Sequence, residues 1–349
     1  MKKRVVIFRN EAADDHLPWV EACKRRQGEV EAEVIDLIAS DWLEKFRMKE
    51  YDLVLLRPPG RTEKYKRLYD ERTYILYNYS GVPVYPSLNE VLIYENKRFL
   101  SDWLNINNIP HPRTRVFFDR KEALAYAGPG IGLPLVAKTN IGASGNGVRF
   151  IHNNEELHDY IIDAFSKGVG VRTGPKLHKG SLSGKLIKAI TTRGFLKKRM
   201  GEYMASYENP QRGFVIFQEF VPHEFEWRCV RIGGSFFAHK KLARNNMSSG
   251  TLLKGYDPVP ASLLNFIREV TERTGLSSVS IDLFDRNGQY LVNEIQCFFG
   301  QSDPYQMLVE SVPGRYRYLN EKWAFEAGDF ASNACYDLRL EHALGLVKK

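Results

Sequence analysis

The sequence predicts an α/β protein, a doubly wound parallel sheet followed by α+β lobes, and three observations carry that prediction. Short apolar runs alternate with helical spacing through the first third of the chain. A strand ending in Lys138 runs into a glycine-rich turn, Gly142-Ala-Ser-Gly145-Asn-Gly147. Far downstream, Asp282 and Glu294 sit in two apolar runs joined by Asp285-Arg-Asn-Gly288.

At 349 residues the chain exceeds one ordinary core, so two or three packed lobes are expected. A hydrophobic content of 43% with 26% charged residues is that of a globular rather than a disordered chain. No apolar run approaches the ~20 residues of a membrane-spanning helix. The opening Met1-Lys-Lys-Arg-Val-Val-Ile-Phe8 loses its apolar character at Arg9, so it reads as a first buried strand and not a signal peptide. The four cysteines (Cys23, Cys229, Cys297, Cys335) form no Cys-x-x-Cys pair, which argues against structural zinc or a disulfide framework and for the reducing cytoplasm. Cys297 follows the acidic motif, and packing at a strand end is favoured for it over a nucleophilic role.

Residues 4–8, 33–37, 52–56 and 82–85 read as short apolar strands, with helical spacing around 17–27 and 62–79. Strands alternating with helices imply a parallel sheet. Arg57-Pro-Pro-Gly60 leaves the third strand at its carboxyl end, where such sheets place ligands. Arg57 and Arg61 read as holders of an anionic substrate or as solvated loop charges, the second being favoured for Arg61. Residues 89–107 read as one helix, ended by Ile109-Pro-His-Pro-Arg-Thr114 because two prolines cannot continue it. That break sets a boundary near 110, and the expected divisions are 1–110, 111–217 and 218–349.

In the second division a strand begins at Val116, a short helix covers 120–127, and strands at 133–138 and 146–151 flank the glycine turn. Asn154 is the expected cap of a helix running to Phe165. Strands follow at 214–218, 227–232 and 235–241, then an amphipathic helix over Pro260 to Thr274. Strands at 278–284 and 289–295 form a hairpin by the composition of their turn. From Gln301 onward the tail reads as helical, folding over the last lobe.

The net charge of +8 is unevenly placed. Residues 167–212 hold eleven Lys and Arg against two Glu, a local net of +9, so the basic character belongs to one segment. An acidic substrate or anionic partner is the expected counterpart of that segment. Its sparse aromatics (Phe195, Tyr203, Tyr207) argue against a nucleic-acid surface.

The chemistry-bearing residues fall into three groups. Glycines let backbone N–H groups approach phosphate oxygens, and Lys138, with Lys97 in the preceding helix, adds positive charge. This loop lacks a Gly-Lys-Ser/Thr and opens a strand, so it is neither of the common phosphate or dinucleotide fingerprints. Phe217-Gln218-Glu219-Phe220-Val221 offers an apolar slot with polar edges for a base, and Glu226-Trp-Arg228 a carboxylate for ribose and a guanidinium for phosphate. Lys240, Lys241 and Arg244-Asn-Asn246 cluster cations at the next hairpin's end, read equally as solvated charges or as stabilisers of a transferring phosphoryl group. Asp282 and Glu294 face each other across the hairpin with Gln296 beside them, an oxygen-rich cradle suited to Mg²⁺. A salt bridge from Asp282 to Arg228 or Lys240 is the disfavoured rival.

Taken in order, these motifs resemble the ATP-grasp superfamily, and most closely its ribosomal-protein glutamate ligase and D-alanine–D-alanine ligase branches. The resemblance covers about residues 4 to 300 and is strongest at 134–150 and 280–296. It implies an ATP-grasp fold with an N-terminal pre-ATP-grasp domain and two lobes enclosing the nucleotide. Nucleotide contacts would come from Lys97, Lys138, Gly142, Ser144, Gly145, Gly147, Gln218, Glu219, Val221 and Glu226, with Glu224 the alternative ribose acid. Arg228, Lys240, Arg244 and Asn246 would serve the reaction, and Asp282, Glu294 and Gln296 would hold Mg²⁺ or Mn²⁺. Gln296 stands where the family has Asn, and the basic insert is longer than the small lobe of those branches.

The implied activity is a cytoplasmic carboxylate–amine ligase acting through an acyl phosphate on small-molecule or peptide substrates, with no membrane role and a homo-oligomer allowed. The competing readings are an ATP-grasp kinase of a polyphosphorylated small molecule, which would release no free phosphate, and a catalytically silent nucleotide-binding regulator.

Overall fold

The computed structural model describes residues 2–128, 130–142, 147–170, 210–244, 247–248 and 252–347. Ser144, Gly145, Asn246 and most of the basic insert (171–209) lie outside the described residues. Among the described residues no helix is long and apolar enough to cross a membrane.

Four parallel strands open the chain: β1 (Lys3–Arg9), β2 (Val30–Asp36), β3 (Leu53–Leu56) and β4 (Val84–Tyr85), in the order β2-β1-β3-β4. They are apolar along their length because both faces are covered. Val5, Ile7, Leu53 and Leu55 enter one core, and Val6, Phe8, Val54 and Leu56 the other. Helices α1 (Leu17–Arg25), α2 (Trp42–Arg47) and α3 (Glu63–Tyr79) connect the strands. The six-residue α2 is too short to show a period in sequence, yet it buries Trp42 and Phe46 one turn apart.

The single helix expected over 89–107 is two, α4 (Leu88–Ile93) and α5 (Lys97–Ile106). Ser87 and Glu90 form a capping box at the start of α4, and the Asn96 side chain accepts from Phe99 N to start α5. Between them Glu95 takes a left-handed φ of 48°, and its carboxylate reaches two long-range donors instead of solvent. Those tertiary bonds hold the break that local propensity does not show.

A four-stranded antiparallel sheet follows, β5 (Thr114–Phe117), β6 (Leu135–Lys138), β7 (Val148–Ile151) and β8 (Val215–Glu219), in the order β5-β8-β6-β7. Helices α6 (Arg120–Tyr126) and α7 (Asn154–Phe165) pack on it through Ala123, Leu157, Ile161 and Ala164. The cap of α7 is Asn153, in extended conformation and accepting from Glu156 N at 2.9 Å, not Asn154, which is the first helical residue.

The largest sheet has eight strands: β9 (Phe225–Ile232), β10 (Ser235–Leu242), β11 (Lys254–Gly255), β12 (Ser278–Arg286), β13 (Gln289–Gln296), β14 (Leu308–Val309), β15 (Val312–Leu319) and β16 (Lys322–Ala327). Helix α8 (Ala261–Thr274) covers one face together with α5, Leu263, Ile267 and Val270 meeting Leu100, Trp103 and Leu104. The tail therefore departs from the helical expectation. Residues 312–327 form a hairpin whose tight turn has positive φ at Asn320 and Glu321, and β15 pairs with β10.

Among the described residues of the tail only a short 3₁₀ turn at Ser332–Cys335 and α9 (Tyr336–Gly345) are helical, and α9 sets Tyr336, Leu340 and Ala343 in the core of the first sheet while Leu338 packs against that of the last. The Tyr336 ring lies 4.8 Å from that of Trp19, edge to face. The cores thus do not follow three contiguous stretches of chain: α5 joins the core of the large sheet, and α9 that of the first.

Candidate active site

One face of the large sheet carries the charged centre. Register places Glu226 opposite Lys241 and Arg228 opposite both His239 and Asp282, and alternation along β9 and β10 keeps these side chains together. Trp227 and Cys229, one step out of phase, enter the hydrophobic core. Lys240 belongs to that other face. It pairs with Asp257 at 2.9 Å and lies over the Phe225 ring, so the cation at the centre is Lys241 and not Lys240.

Arg228 grips Asp282 with two parallel bonds of 2.9 Å, and Lys241 donates to Asp282 at 2.7 Å and to Glu226 at 2.8 Å. The disfavoured salt bridge is thus the observed one, with Lys241 in place of Lys240. Burial pushes the Asp282 carboxyl up, but Arg228 and Lys241 more than offset it and hold the group below the usual carboxylate range.

The β12–β13 hairpin contains an irregularity that decides the site. Asp282 pairs with Glu294, while Leu283 pairs with Val292, so Asn293 is the extra residue of a β-bulge. A regular ladder extended from the Arg286–Gln289 pair would set Asn293 opposite Asp282 and send Glu294 to the other face. The bulge admits both. Asn293 accepts from Lys138 Nζ at 2.8 Å and donates to Glu226 at 3.1 Å, joining the small sheet to the large one. Nothing in the sequence marks it beyond a polar residue in an apolar run.

Lys138 is buried, and burial pushes its ammonium down to about 8, with Lys97 acting the same way and Glu294 and Glu226 against. Lys97 lies 3.8 Å from both Glu95 and Glu294 and donates to the Gly142 carbonyl at 3.2 Å. Glu95, absent from the sequence-level candidates, is buried and accepts from Gly142 N at 3.1 Å and Gln296 Nε2 at 2.9 Å. Burial raises its carboxyl, reinforced by Glu294 and opposed by Lys97.

Gly142 and Gly147 close the base of the glycine turn. Thr139 N donates to the Gly147 carbonyl, and a Cβ at Gly147 would collide with the Thr139 side chain. In this arrangement the Gly142 amide and carbonyl are both engaged by protein groups. The buried Gln211 amide accepts from Asn140 N and Ile141 N and donates to Ile141 O, tying the start of the turn to the segment after the basic insert.

Two cavities flank the centre. The first, a cleft holding about 500 Å³ of empty space that is open to solvent, lies between the small and large sheets. It has apolar walls from Val136, Val148, Phe150, Val221 and Phe284, with Gln218, Glu219, Glu226, Lys138 and Asn293 at its polar edges. The second, with about 1210 Å³ of empty space that is likewise open to solvent, is lined by Arg57, Arg228, His239, Lys241, Glu95 and Glu294 among others, and Ser248 borders both. His239 sends Nδ1 to the Gln306 carbonyl at 2.7 Å. Burial, then Lys254 and Arg228, push its imidazole down to about 3, so it stays neutral. Arg244 lines neither cavity; it is exposed, with its backbone paired to Met247. Cys297 is buried in the first core and burial pushes its thiol up, as its packing role requires.

The trio Asp282, Glu294 and Gln296 does not fit a divalent cation as arranged. Both Asp282 oxygens are held by cations, and Gln296 turns its Nε2, not its oxygen, toward Glu294 and Glu95. Among the described residues no group of three or more His, Cys, Asp or Glu could hold a metal. Mg²⁺ commonly takes most of its ligands from phosphate and water, and no step below is routed through it.

No protein-family model and no curated protein matches the chain. Solved structures do. D-alanine–D-alanine ligase from Bacillus anthracis aligns over 99% of this chain and 98% of its own at 15% identity, with a TM-score of 0.52. Carboxyaminoimidazole ribonucleotide synthase from Aspergillus clavatus, complexed with ATP, aligns over 100% of this chain and 78% of its own at 12% identity and TM-score 0.56. N5-carboxyaminoimidazole synthetase from Staphylococcus aureus, complexed with ADP, gives the same TM-score at 12% identity, over 100% and 79%. At such identities the likeness is one of fold, and the fold of this chain is ATP-grasp.

Proposed function

We propose that this chain is an ATP-dependent carboxylate–amine ligase. The observation that carries the reading is the pair of cavities meeting at one buried charged centre. A slot with apolar walls and polar edges suits adenosine, and a separate, larger polar cavity suits a second substrate. In the first step a substrate carboxylate oxygen bonds to the γ-phosphorus. The bond from that phosphorus to the bridging oxygen breaks, and ADP leaves with the electron pair. An amine then attacks the acyl carbon, the carbon–oxygen bond to phosphate breaks, and phosphate leaves as the amine sheds its extra proton to it or to solvent.

Lys138, at the polar end of the slot, supplies charge to the phosphates. Arg228 lines the second cavity with a guanidinium already oriented by Asp282, ready to offset charge that develops during phosphoryl transfer without reorganising. Incubation with ATP, hydroxylamine and a panel of amino acids, peptides and acidic sugars tests the reading. Acid-dependent ADP and phosphate release with a hydroxamate product supports it. ADP release without free phosphate makes the chain a kinase, and no release with any acid rejects both enzyme readings.

The lowered Lys138 pKa gives a second expected result. With its ammonium pushed down to about 8, that amine is partly neutral at pH 8.5 in the free protein, and phosphate oxygens placed beside it restore its proton. Binding of ATP is therefore accompanied by proton uptake at pH 8.5, seen by calorimetry in two buffers of different ionisation enthalpy and lost in Lys138→Met. Equal uptake in the variant would remove Lys138 from the phosphate site.

A further inference from the structure

His223 lies at the hinge side of the nucleotide slot and is one of its lining residues, although no motif singles it out. Its side chain is only 8% exposed, packed against the Phe284 ring at 4.6 Å. Nδ1 stands 2.8 Å from the Val221 carbonyl, and a carbonyl can only accept, so Nδ1 carries the hydrogen. In the neutral imidazole Nε2 is then a bare lone pair, buried and without a hydrogen-bond partner among the described residues. The nearest charged neighbour, Glu226 Oε1, is 3.9 Å away, beyond hydrogen-bonding reach. A buried nitrogen left in this state is costly, and a donor brought by a ligand relieves that cost.

Glu226 identifies the donor. It lines the same slot, bonded to Lys241 and Asn293, and the other two residues in contact with His223, Val221 and Phe284, have apolar side chains. A carboxylate and an imidazole lone pair set side by side are two acceptors, and a ribose presents two donors on adjacent carbons. We propose that His223 Nε2 accepts a hydrogen bond from one ribose hydroxyl while Glu226 accepts from the other, so that His223 selects ribonucleotides over deoxyribonucleotides. This rests on the nucleotide-binding part of the proposed function and not on the identity of the acid or amine.

The test is calorimetric binding of ATP, 2′-deoxy-ATP, 3′-deoxy-ATP and ITP to the wild type, His223→Phe and His223→Gln. One deoxynucleotide should bind the wild type about five- to ten-fold more weakly than ATP, the effect of one lost hydrogen bond. His223→Phe keeps an aromatic ring on Phe284 but closes that gap by weakening ATP alone, leaving the other deoxynucleotide and ITP at their wild-type ratios. His223→Gln, which restores an acceptor, keeps part of the gap.

A gap that persists in His223→Phe overturns the proposal, as does a histidine-dependent gap for ITP, which would assign the nitrogen to the base amine. If the phenylalanine variant does not fold, ¹⁵N resonances of the wild type decide. The Nε2 signal should move upfield with ATP and not with the discriminated deoxynucleotide, and identical shifts would overturn the assignment. Absence of any ATP binding defeats the nucleotide reading and this one together, whereas ATP binding with no deoxy discrimination defeats this one alone.

Discussion

Asp282→Ala is expected to lower the unfolding free energy by about 3–5 kcal/mol, the usual cost of removing one partner from a buried ion pair. The Arg228 guanidinium would remain buried without the carboxylate that accepts both of its 2.9 Å bonds. A metal-binding acid would behave in the opposite way, because removing a buried charge repelled by its neighbours holds the melting temperature steady or raises it. Urea unfolding of the apo-protein at pH 7 separates the two, and a variant as stable as the wild type would restore the metal assignment.

The pH dependence has a definite sign. The folded Asp282 pKa lies below its unfolded value of about 3.9, so its contribution is fully present above that value and is lost as pH falls through the folded pKa. His239 adds to acid sensitivity over a higher range. It is held neutral down to about 3 in the fold but takes up a proton near 6.5 when unfolded, so stability falls progressively on acidification between those values. The difference between wild type and Asp282→Ala should therefore narrow only at strongly acid pH.

Arg228→Ala is expected to reduce turnover in the proposed reaction by about 10²–10³, the typical effect of deleting one preorganised charge-stabilising donor. Arg228→Lys should recover little of it, since a single ammonium cannot reproduce the two parallel bonds that orient the guanidinium on Asp282. The measurement is hydroxamate formation with whichever acid of the panel is active, at saturating ATP. Loss of rate with unchanged ATP affinity places Arg228 at the reacting groups, whereas wild-type turnover in Arg228→Ala would make it a purely structural partner of Asp282. A fluorescence or circular-dichroism melt of each variant keeps a stability loss from being read as a catalytic one.

Much of the architecture was legible in the chain because local rules encode it. The apolar runs at Val5–Phe8 and Leu53–Leu56 are continuous since both faces of a parallel sheet are buried, and the Asn287-Gly288 dipeptide, with φ of 54° and 84°, makes the expected tight hairpin. Lys138, Gln218, Glu219, Val221 and Glu226 were found by their order along the chain, and the fold does set them around one slot.

Tertiary structure alone decided which face each charge takes and what it meets there. Lys240 and Lys241 are neighbours of the same charge, and only the pairing of Lys241 with Glu226 across β9 and β10 shows which enters the centre. A one-residue change of register reverses every side chain of a strand, so the bulge at Asn293 could not be inferred from spacing. Glu95 looks like an interior residue of a long helix until Gly142 and Gln296, distant in sequence, supply its donors. Likewise α9 crosses back to Trp19, and residues 312–327 join β10, because burial against distant partners outweighs local propensity. Composition and period determine which segments pair with water or with a core; contacts between segments far apart in the chain determine which carboxylate meets which cation.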